Sequence, residues 1–213
     1  MRETEARTLM ETAQLRISLP SNNQAIVPLP RERRQAFEIH LRAIVAEAGN
    51  PPPDPSDERS TAEGAGTNPV SRLLGNACGI CRGWCCYKGA GQNAYLKPES
   101  ILVYRQRNTG VSGEEIISDY LGRIPDDSYE DSCVFHGRQG CVLPTRLRSE
   151  TCNWYLCDSL IELSRSAALE DRATVFAVAT TNLESGRLAL FDADGVRWSE
   201  EVDRQAISLV HIR

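Results

Sequence analysis

The clearest periodic pattern in the chain lies in segment Arg31–Ala48. Apolar residues recur there at spacings of three and four, at Phe37, Leu41, Ile44, Val45 and Ala48. This spacing places them on one face of a helix, and Gly49 can end that helix. The sequence therefore predicts an amphipathic helix in this segment.

Start signals predict two shorter helices further along the chain. Pro98 suits the first turn of a helix over residues 99–107, because its missing amide hydrogen is not needed there. Ser112 and Glu115 have the spacing of a capping box, in which each side chain bonds the other residue's amide. We expect the second helix to run from this box through Tyr120.

The last quarter of the chain combines a helix with strands. Asp158 or Ser159 can cap a helix that runs to about Glu170. Segments Ala173–Thr181 and Arg187–Phe191 are short, β-branched or alternating, and a polar loop separates them. These features predict a β-hairpin.

Composition limits the classes of protein that the chain can represent. Its 213 residues are 41% hydrophobic and only 6% aromatic, so the core is mainly aliphatic. A formal charge of -5 provides no global positive field, and we expect neither nucleic acid nor membrane as a partner.

The beginning of the sequence is acidic, unlike a secretion signal, and no apolar run approaches the ~18 residues that span a bilayer. We expect a cytoplasmic protein with reduced cysteines.

All eight cysteines lie within 80 residues, and these are the candidate metal ligands: Cys78, Cys81, Cys85, Cys86, Cys133, Cys141, Cys152 and Cys157. The first pair is spaced C-x2-C, which can bring two sulfur atoms together in a tight turn with glycine amides facing them. Cys81 and Cys85 are four apart, so a helical turn would place them on one face. Cys85 and Cys86 are neighbours and are expected to point in different directions. Cys152 and Cys157 would diverge on a regular helix.

Such a cluster in a cytoplasmic chain favours metal binding over a disulfide framework or over buried, unliganded thiols. Zinc and iron–sulfur clusters both accept four thiolates, so eight cysteines suffice for two sites, or for one site with spare thiols. The wide later spacings depart from compact zinc modules and favour a four-iron cluster. The metal ion or cluster is the one partner that the sequence predicts, and a protein partner is not indicated.

Residues near the cysteines suggest supporting roles. Basic side chains could offset thiolate charge: Arg82, Lys88, Arg146 and Arg148. Aromatic side chains could shield a cluster or simply pack in the core: Trp84, Tyr87, Phe135, Trp154 and Tyr155. His136 could be a ninth ligand, but an exposed loop histidine is the favoured interpretation.

Over roughly residues 78–158 the chain resembles the CxxCxxCC zinc- or iron-chelating proteins, also called YkgJ-like cysteine-cluster proteins. The resemblance rests on C-x2-C-x-G-x-C-C, on Leu-Lys-Pro-Glu at 96–99, and on the Gly-Cys, Arg-x3-Cys and final cysteine steps. All eight expected cysteines are present. Ser149 stands where the family usually has proline, which loosens a turn without removing a ligand. Flagellin lysine N-methylases look related to this family.

We therefore expect an α+β, mostly helical fold around a small, loop-rich cysteine-cluster domain with N- and C-terminal extensions. The expected segments are a helical extension (1–49), a flexible linker (50–68), the cysteine domain (69–158), and a helix plus hairpin (159–213). Pro125–Ser128 is expected to be a loop within the cysteine domain. The leading functional hypothesis is a metal-cluster protein for electron transfer or iron handling. The alternatives are a structural zinc module of an interaction protein and a methyltransferase-like, protein-modifying enzyme.

Overall fold

A computed structural model describes residues 3–49, 69–138, 140–167 and 173–210. It divides into two compact units, each assembled from separate stretches of chain. The sheet unit contains the described parts of Met1–Asn23, Ser60–Trp84 and Leu156–Arg213. The cysteine-rich unit contains the described parts of Gln24–Arg59 and Cys85–Tyr155. The predicted linker 50–68 lies outside the described residues.

The described residues form helices and strands that alternate irregularly along the chain. In chain order they are α1 (Glu3–Thr12), β1 (Leu15–Leu19), β2 (Ile26–Pro28), α2 (Arg31–Glu47), α3 (Pro69–Cys81), a 3-10 segment (Trp84–Tyr95), α4 (Pro98–Arg107), α5 (Gly113–Leu121), β3 (Asp127–Tyr129), β4 (His136–Gly137), β5 (Gly140–Cys141), a 3-10 turn (Thr145–Leu147), α6 (Glu150–Trp154), α7 (Asp158–Ala167), β6 (Val175–Thr180), β7 (Ser185–Asp192), β8 (Gly195–Asp203) and α8 (Arg204–Leu209). Helices and strands are both well represented, so the α+β class is confirmed.

A four-stranded sheet with the order β1-β6-β7-β8 forms the centre of the sheet unit. The predicted hairpin is confirmed as the antiparallel pair β6–β7, in which Val178 lies opposite Leu188. Two strands that the sequence analysis missed extend it. β8 adds antiparallel to β7, and β1 adds parallel to β6, with Ile17 opposite Ala177.

Both faces of this sheet are apolar, and both are covered by helices. Val175, Ala177 and Ala179 point to a cluster that includes residues of α3 and α7. The alternate residues Phe176 and Val178 point to a cluster with α1 and α8. Residues of a strand alternate between the two faces, so one continuous apolar run supplies both cores.

The cysteine-rich unit is built on α2. Phe37, Leu41 and their neighbours on the predicted face are buried against residues of α4 and α5 and of the 133–147 region. Phe37 and Phe135 are both fully buried and meet edge to face with ring centroids 5.0 Å apart. This offset geometry is the favoured arrangement of aromatic pairs.

The predicted helices of this unit are confirmed. α2 ends before Gly49, whose φ of +59° is left-handed as a helix terminus often requires. The capping box is formed by a 2.8 Å bond from the Ser112 amide to the Glu115 carboxylate and a 3.3 Å return bond from the Glu115 amide to the Ser112 hydroxyl. α4 begins at Pro98 as expected.

Three local expectations need correction. The segment before Gly49 contains β1 and β2 as well as helices. The loop expected over Pro125–Ser128 gives way at Asp127 to β3, which pairs with β2. The C-terminal part forms most of a sheet rather than a lone hairpin.

α7 begins at Asp158, and its predicted end near Glu170 lies outside the described residues. Within the described ranges, every helix is too short or too polar to span a bilayer.

Candidate metal-binding thiols

Cys78 and Cys81 occupy the last turn of α3 in the sheet unit. They are three residues apart on a helix, so their side chains lie on the same face. The helix stops because Arg82 and Gly83 both adopt left-handed φ angles, of 56° and 62°. The Trp84 amide then donates a 3.4 Å hydrogen bond to the Cys81 sulfur. The sequence predicts glycine amides in a tight turn as the donors, whereas this donor is the amide of Trp84, just after the end of a helix.

The same helix end overturns the expectation that Cys81 and Cys85 share a helical face, because the helical path does not reach Cys85. Cys157 also belongs to the sheet unit. Its carbonyl accepts the Ile161 amide in the first turn of α7, and its side chain packs beside the core shared by α3 and α7.

The other five cysteines belong to the cysteine-rich unit, and all five are free thiols. Cys85 and Cys86 lie in the 3-10 segment, where their thiols are hydrogen-bonded to each other. This contact corrects the expectation that the two neighbours diverge. The bond lowers the pKa of Cys85 to about 7, with further help from Lys88. The same bond, together with burial, raises the pKa of Cys86.

Cys133 is held at its backbone by three hydrogen bonds. Its amide donates to the Cys86 carbonyl at 3.2 Å. Its own carbonyl accepts the Ser128 hydroxyl at 3.2 Å and the His136 amide at 2.9 Å. Burial raises the pKa of the Cys133 thiol to about 12. The two cysteine segments of this unit are therefore joined directly, at Cys86 and Cys133.

Cys141 lies opposite His136 in the β4–β5 pair. Cys152 is the third residue of α6. Its amide donates to the Ser149 hydroxyl at 3.2 Å, and its thiol donates to the Ala94 carbonyl at 3.6 Å. Ser149 therefore caps this helix. Burial raises the pKa of Cys152, against the effect of its hydrogen bond to Ser149.

These five thiols are close enough to shift one another's pKa. Cys133 and Cys141 raise the pKa of Cys86, Cys141 and Cys152 raise that of Cys133, and Cys85 contributes to that of Cys152. Nevertheless, no three Cys, His, Asp or Glu side chains among the described residues already converge as metal ligands. The thiols are thus neighbours in an open arrangement.

His136 is fully buried, so the expectation of an exposed loop histidine is wrong. Its Nδ1 lies 2.6 Å from the Ser132 hydroxyl, and its ring packs on that of Tyr129 with centroids 4.5 Å apart and a tilt of 44° between the planes. These contacts make it part of the support for the Cys133 loop. His40 contacts the Leu96 carbonyl, and His211 lies outside the described residues.

The flanking side chains have varied roles. Arg148 bonds the Leu143 and Cys141 carbonyls, at 2.8 and 3.4 Å, and lowers the pKa of Cys152. Phe135 belongs to the core, whereas the Trp154 side chain is 78% exposed. Trp154 is therefore placed neither to pack in the core nor to shield a cluster.

The sequence analysis missed Arg33 on α2. Its guanidinium donates to the Ser132 carbonyl and, at 3.4 Å, to the Tyr129 carbonyl. Burial lowers the pKa of Arg33, while Cys133 and Asp131 oppose that effect. The pattern offered no signal for this role, because Arg33 is 100 residues from Cys133 along the chain and lies on a helix rich in arginine.

The cysteine-rich unit contains a cavity of about 270 Å³, which is lined by sequence neighbours of Cys133 and by residues of the 3-10 segment. Arg33, Asp131, Gly89 and Ala94 contribute to its wall. A Cβ atom added at Gly89 would lie 3.3 Å from the Cβ of Cys133, so this glycine permits close packing on that cysteine. Ala94 adopts a left-handed φ of 59° between two residues that do the same.

Comparisons with known proteins found no matching family model, curated protein or solved structure. The resemblance to the CxxCxxCC proteins therefore stays a prediction based on the cysteine spacing.

Proposed function

We propose that this chain is a cysteine-cluster protein that binds an iron–sulfur cluster or zinc, with a role in electron transfer or iron handling. One observation carries the proposal: cysteine segments that are far apart in sequence meet within one unit, where the Cys133 amide donates to the Cys86 carbonyl at 3.2 Å and the Cys152 thiol donates to the Ala94 carbonyl at 3.6 Å. Grouping thiols in this way has no evident benefit for packing alone, whereas thiolates are the preferred ligands of both centres.

The donor set fits a thiophilic centre. The candidate ligands in the cysteine-rich unit are Cys85, Cys86, Cys133, Cys141 and Cys152. Those in the sheet unit are Cys78, Cys81 and Cys157. No three of these sulfur atoms already converge among the described residues, so binding requires a rearrangement that brings them together. The chain itself contributes thiolate ligands, the amide contact at Cys81 and burial around Cys133, and a bound centre would supply any redox chemistry.

The test is metal analysis of protein purified without oxygen. An iron–sulfur centre predicts brown protein with iron and acid-labile sulfide in matching amounts, whereas colourless protein with stoichiometric zinc would favour a structural zinc module. Cys133→Ser should lower the bound metal in either case. Thr151→Ala is the matched control, because Thr151 is exposed and adjoins Cys152. Protein that retains neither metal would contradict the proposal.

The cavity favours a second candidate, a protein-modifying enzyme of the methyltransferase-like kind with thiols near its substrate site. Ala94, whose carbonyl accepts a hydrogen bond from the Cys152 thiol, is one of the residues that line the cavity, so a ligand bound there would lie near this thiol. Thermal-shift screening with a panel of small molecules tests this candidate. Ala36→Phe, which fills the cavity from α2, should abolish any shift. A flat response from the unaltered protein would count against the enzyme.

A further inference from the structure

The last turn of α3, which presents Cys78 and Cys81, is tied down at every terminal carbonyl. The final four carbonyls of a helix lack partners within the helix and need other donors. Those of Cys78 and Gly79 accept the amides of Gly83 and Arg82, and that of Cys81 accepts the Asn22 amide at 2.9 Å. The remaining carbonyl, that of Ile80, is bonded by a side chain.

That side chain is Arg187, which comes from the centre of the sheet. Its Nη1 donates a 2.8 Å hydrogen bond to the Ile80 carbonyl. Its Nε and Nη2 donate to the Glu201 carboxylate on β8 at 3.0 and 2.6 Å. Glu201 also pairs with Arg82, the residue that ends the helix. One buried guanidinium thus connects the last turn of α3 to two adjacent strands.

The contacts of Arg187 are suited to holding the last turn of α3, and with it the two cysteines, in one position. The Arg187 side chain is only 11% exposed, and its bond to the Ile80 carbonyl is buried and so shielded from water. Its positive charge lies at the C-terminus of a helix, where the helix dipole stabilises a cation. Ile80 lies between the two cysteines in sequence, and therefore a shift of its carbonyl moves both of them.

We propose that Arg187 is a positioning residue that holds Cys78 and Cys81 ready for the metal; this rests on the proposed function. Arg187 makes no contact with the metal itself in this proposal. It acts through the Ile80 carbonyl and is anchored by Glu201. Groups that orient metal ligands in this indirect way commonly change metal affinity by roughly 10- to 100-fold.

The first readout uses cobalt(II), whose absorption reports thiolate ligands. Metal-free full-length protein is titrated with cobalt(II) for the unaltered chain, Arg187→Met and Arg204→Met. Arg204 is the matched control, because its pair with Glu184 is exposed and remote from α3 in sequence. We expect at least about tenfold weaker binding and a weaker thiolate band for Arg187→Met, and no change for Arg204→Met. Equal binding by Arg187→Met would overturn the proposal.

The second readout needs no metal. Cys81 is 8% exposed, so its alkylation by iodoacetamide, followed by mass spectrometry, reports how often the last turn opens. Arg187→Met should speed this alkylation severalfold, and an unchanged rate would overturn the positioning role. If the unaltered protein binds no cobalt while Arg187→Met still speeds alkylation, the proposed metal function fails but the fixing of the turn stands.

Glu201→Ala covers the case in which Arg187→Met does not fold, as judged by circular dichroism. The Glu201 side chain is 60% exposed, so its removal is better tolerated than loss of the buried arginine. It frees Arg187 from β8 while leaving the guanidinium in place. We expect weaker cobalt binding and faster Cys81 alkylation, both smaller than for Arg187→Met. Glu201→Ala protein that matches the unaltered chain in both readouts would overturn the proposal.

Discussion

The hydroxyl of Ser128 donates a 3.2 Å hydrogen bond to the carbonyl oxygen of Cys133, and both residues are buried. The bond ties β3 to the loop that carries the most buried thiol of the cysteine-rich unit. Arg33 approaches the same hydroxyl at 3.4 Å, so Ser128 links a helix, a strand and this loop.

Ser128→Ala should lower the free energy of unfolding by about 1 kcal/mol, the usual value of a buried neutral hydrogen bond. The effect stays moderate because the Cys133 carbonyl keeps its bond from the His136 amide. Chemical denaturation followed by circular dichroism measures it. The control is Ser208→Ala, since this exposed hydroxyl bonds only the Arg204 carbonyl in its own helix. Equal stabilities of the two variants would contradict the role given to Ser128.

The end of α3 allows a test of backbone strain. Arg82 has a φ of 56°, which glycine adopts readily and other residues adopt at a cost. Arg82→Gly and Arg82→Ala both remove the guanidinium, and they differ only in backbone freedom. The glycine variant should therefore be the more stable by about 1 kcal/mol, measured by denaturation.

Arg197 provides the comparison, because it lies within β8 and its φ is not left-handed. There the order should reverse, with Arg197→Gly less stable than Arg197→Ala by roughly 0.5–1 kcal/mol. The same order at both positions would show that the conformation of Arg82 is not the cause.

The sequence predicted the elements whose signals are local. α2 has a complete apolar stripe, and α5 has both members of its capping box. β1 also carried a signal, since Leu15, Ile17 and Leu19 alternate with polar residues. The position of β1 in the sheet could not be predicted from the sequence. Its partner β6 begins at Val175, and local patterns do not indicate pairing between such distant segments.

For the candidate site, cysteine spacing indicated which residues to consider but not how they are held. The Cys85–Cys86 contact depends on the 3-10 segment, and the spacing of apolar residues in that segment does not predict it. The side chains that hold the cysteine segments in place come from other parts of the sequence. Ser128 bonds the Cys133 carbonyl, and Arg187 bonds the end of α3. A single serine or arginine is too common for its role to be read without the fold.

The core of the cysteine-rich unit should be sensitive to loss of Phe135. This ring is fully buried and packs edge to face on Phe37, so Phe135→Ala leaves a cavity and should cost about 3–5 kcal/mol. Trp154→Ala removes a larger ring that is 78% exposed and should change stability by less than about 0.5 kcal/mol. Thermal unfolding followed by circular dichroism compares the two. A larger loss for Trp154→Ala would mean that the ring at position 154 is buried in solution.

Metal affinity should rise with pH. Burial raises the pKa of Cys133 to about 12 and also raises that of Cys152, and the hydrogen bond to Cys85 raises that of Cys86. These three thiols are therefore protonated at neutral pH without metal. Metal binds the thiolate, so each of them that becomes a ligand must release its proton. A higher pH favours loss of these protons. For each proton released on binding, the metal affinity should increase about tenfold per pH unit.

Zinc titration calorimetry at neutral pH, in two buffers with different heats of ionisation, counts the protons released. With all three thiols as ligands, at least about three protons should leave, and the affinity should increase steeply between pH 6 and 8. Cys152→Ser should lower the count by about one if zinc still binds, because serine keeps its proton. An affinity independent of pH would mean that none of these three thiols contacts the metal, and Cys85, whose pKa is about 7, would become the better candidate ligand.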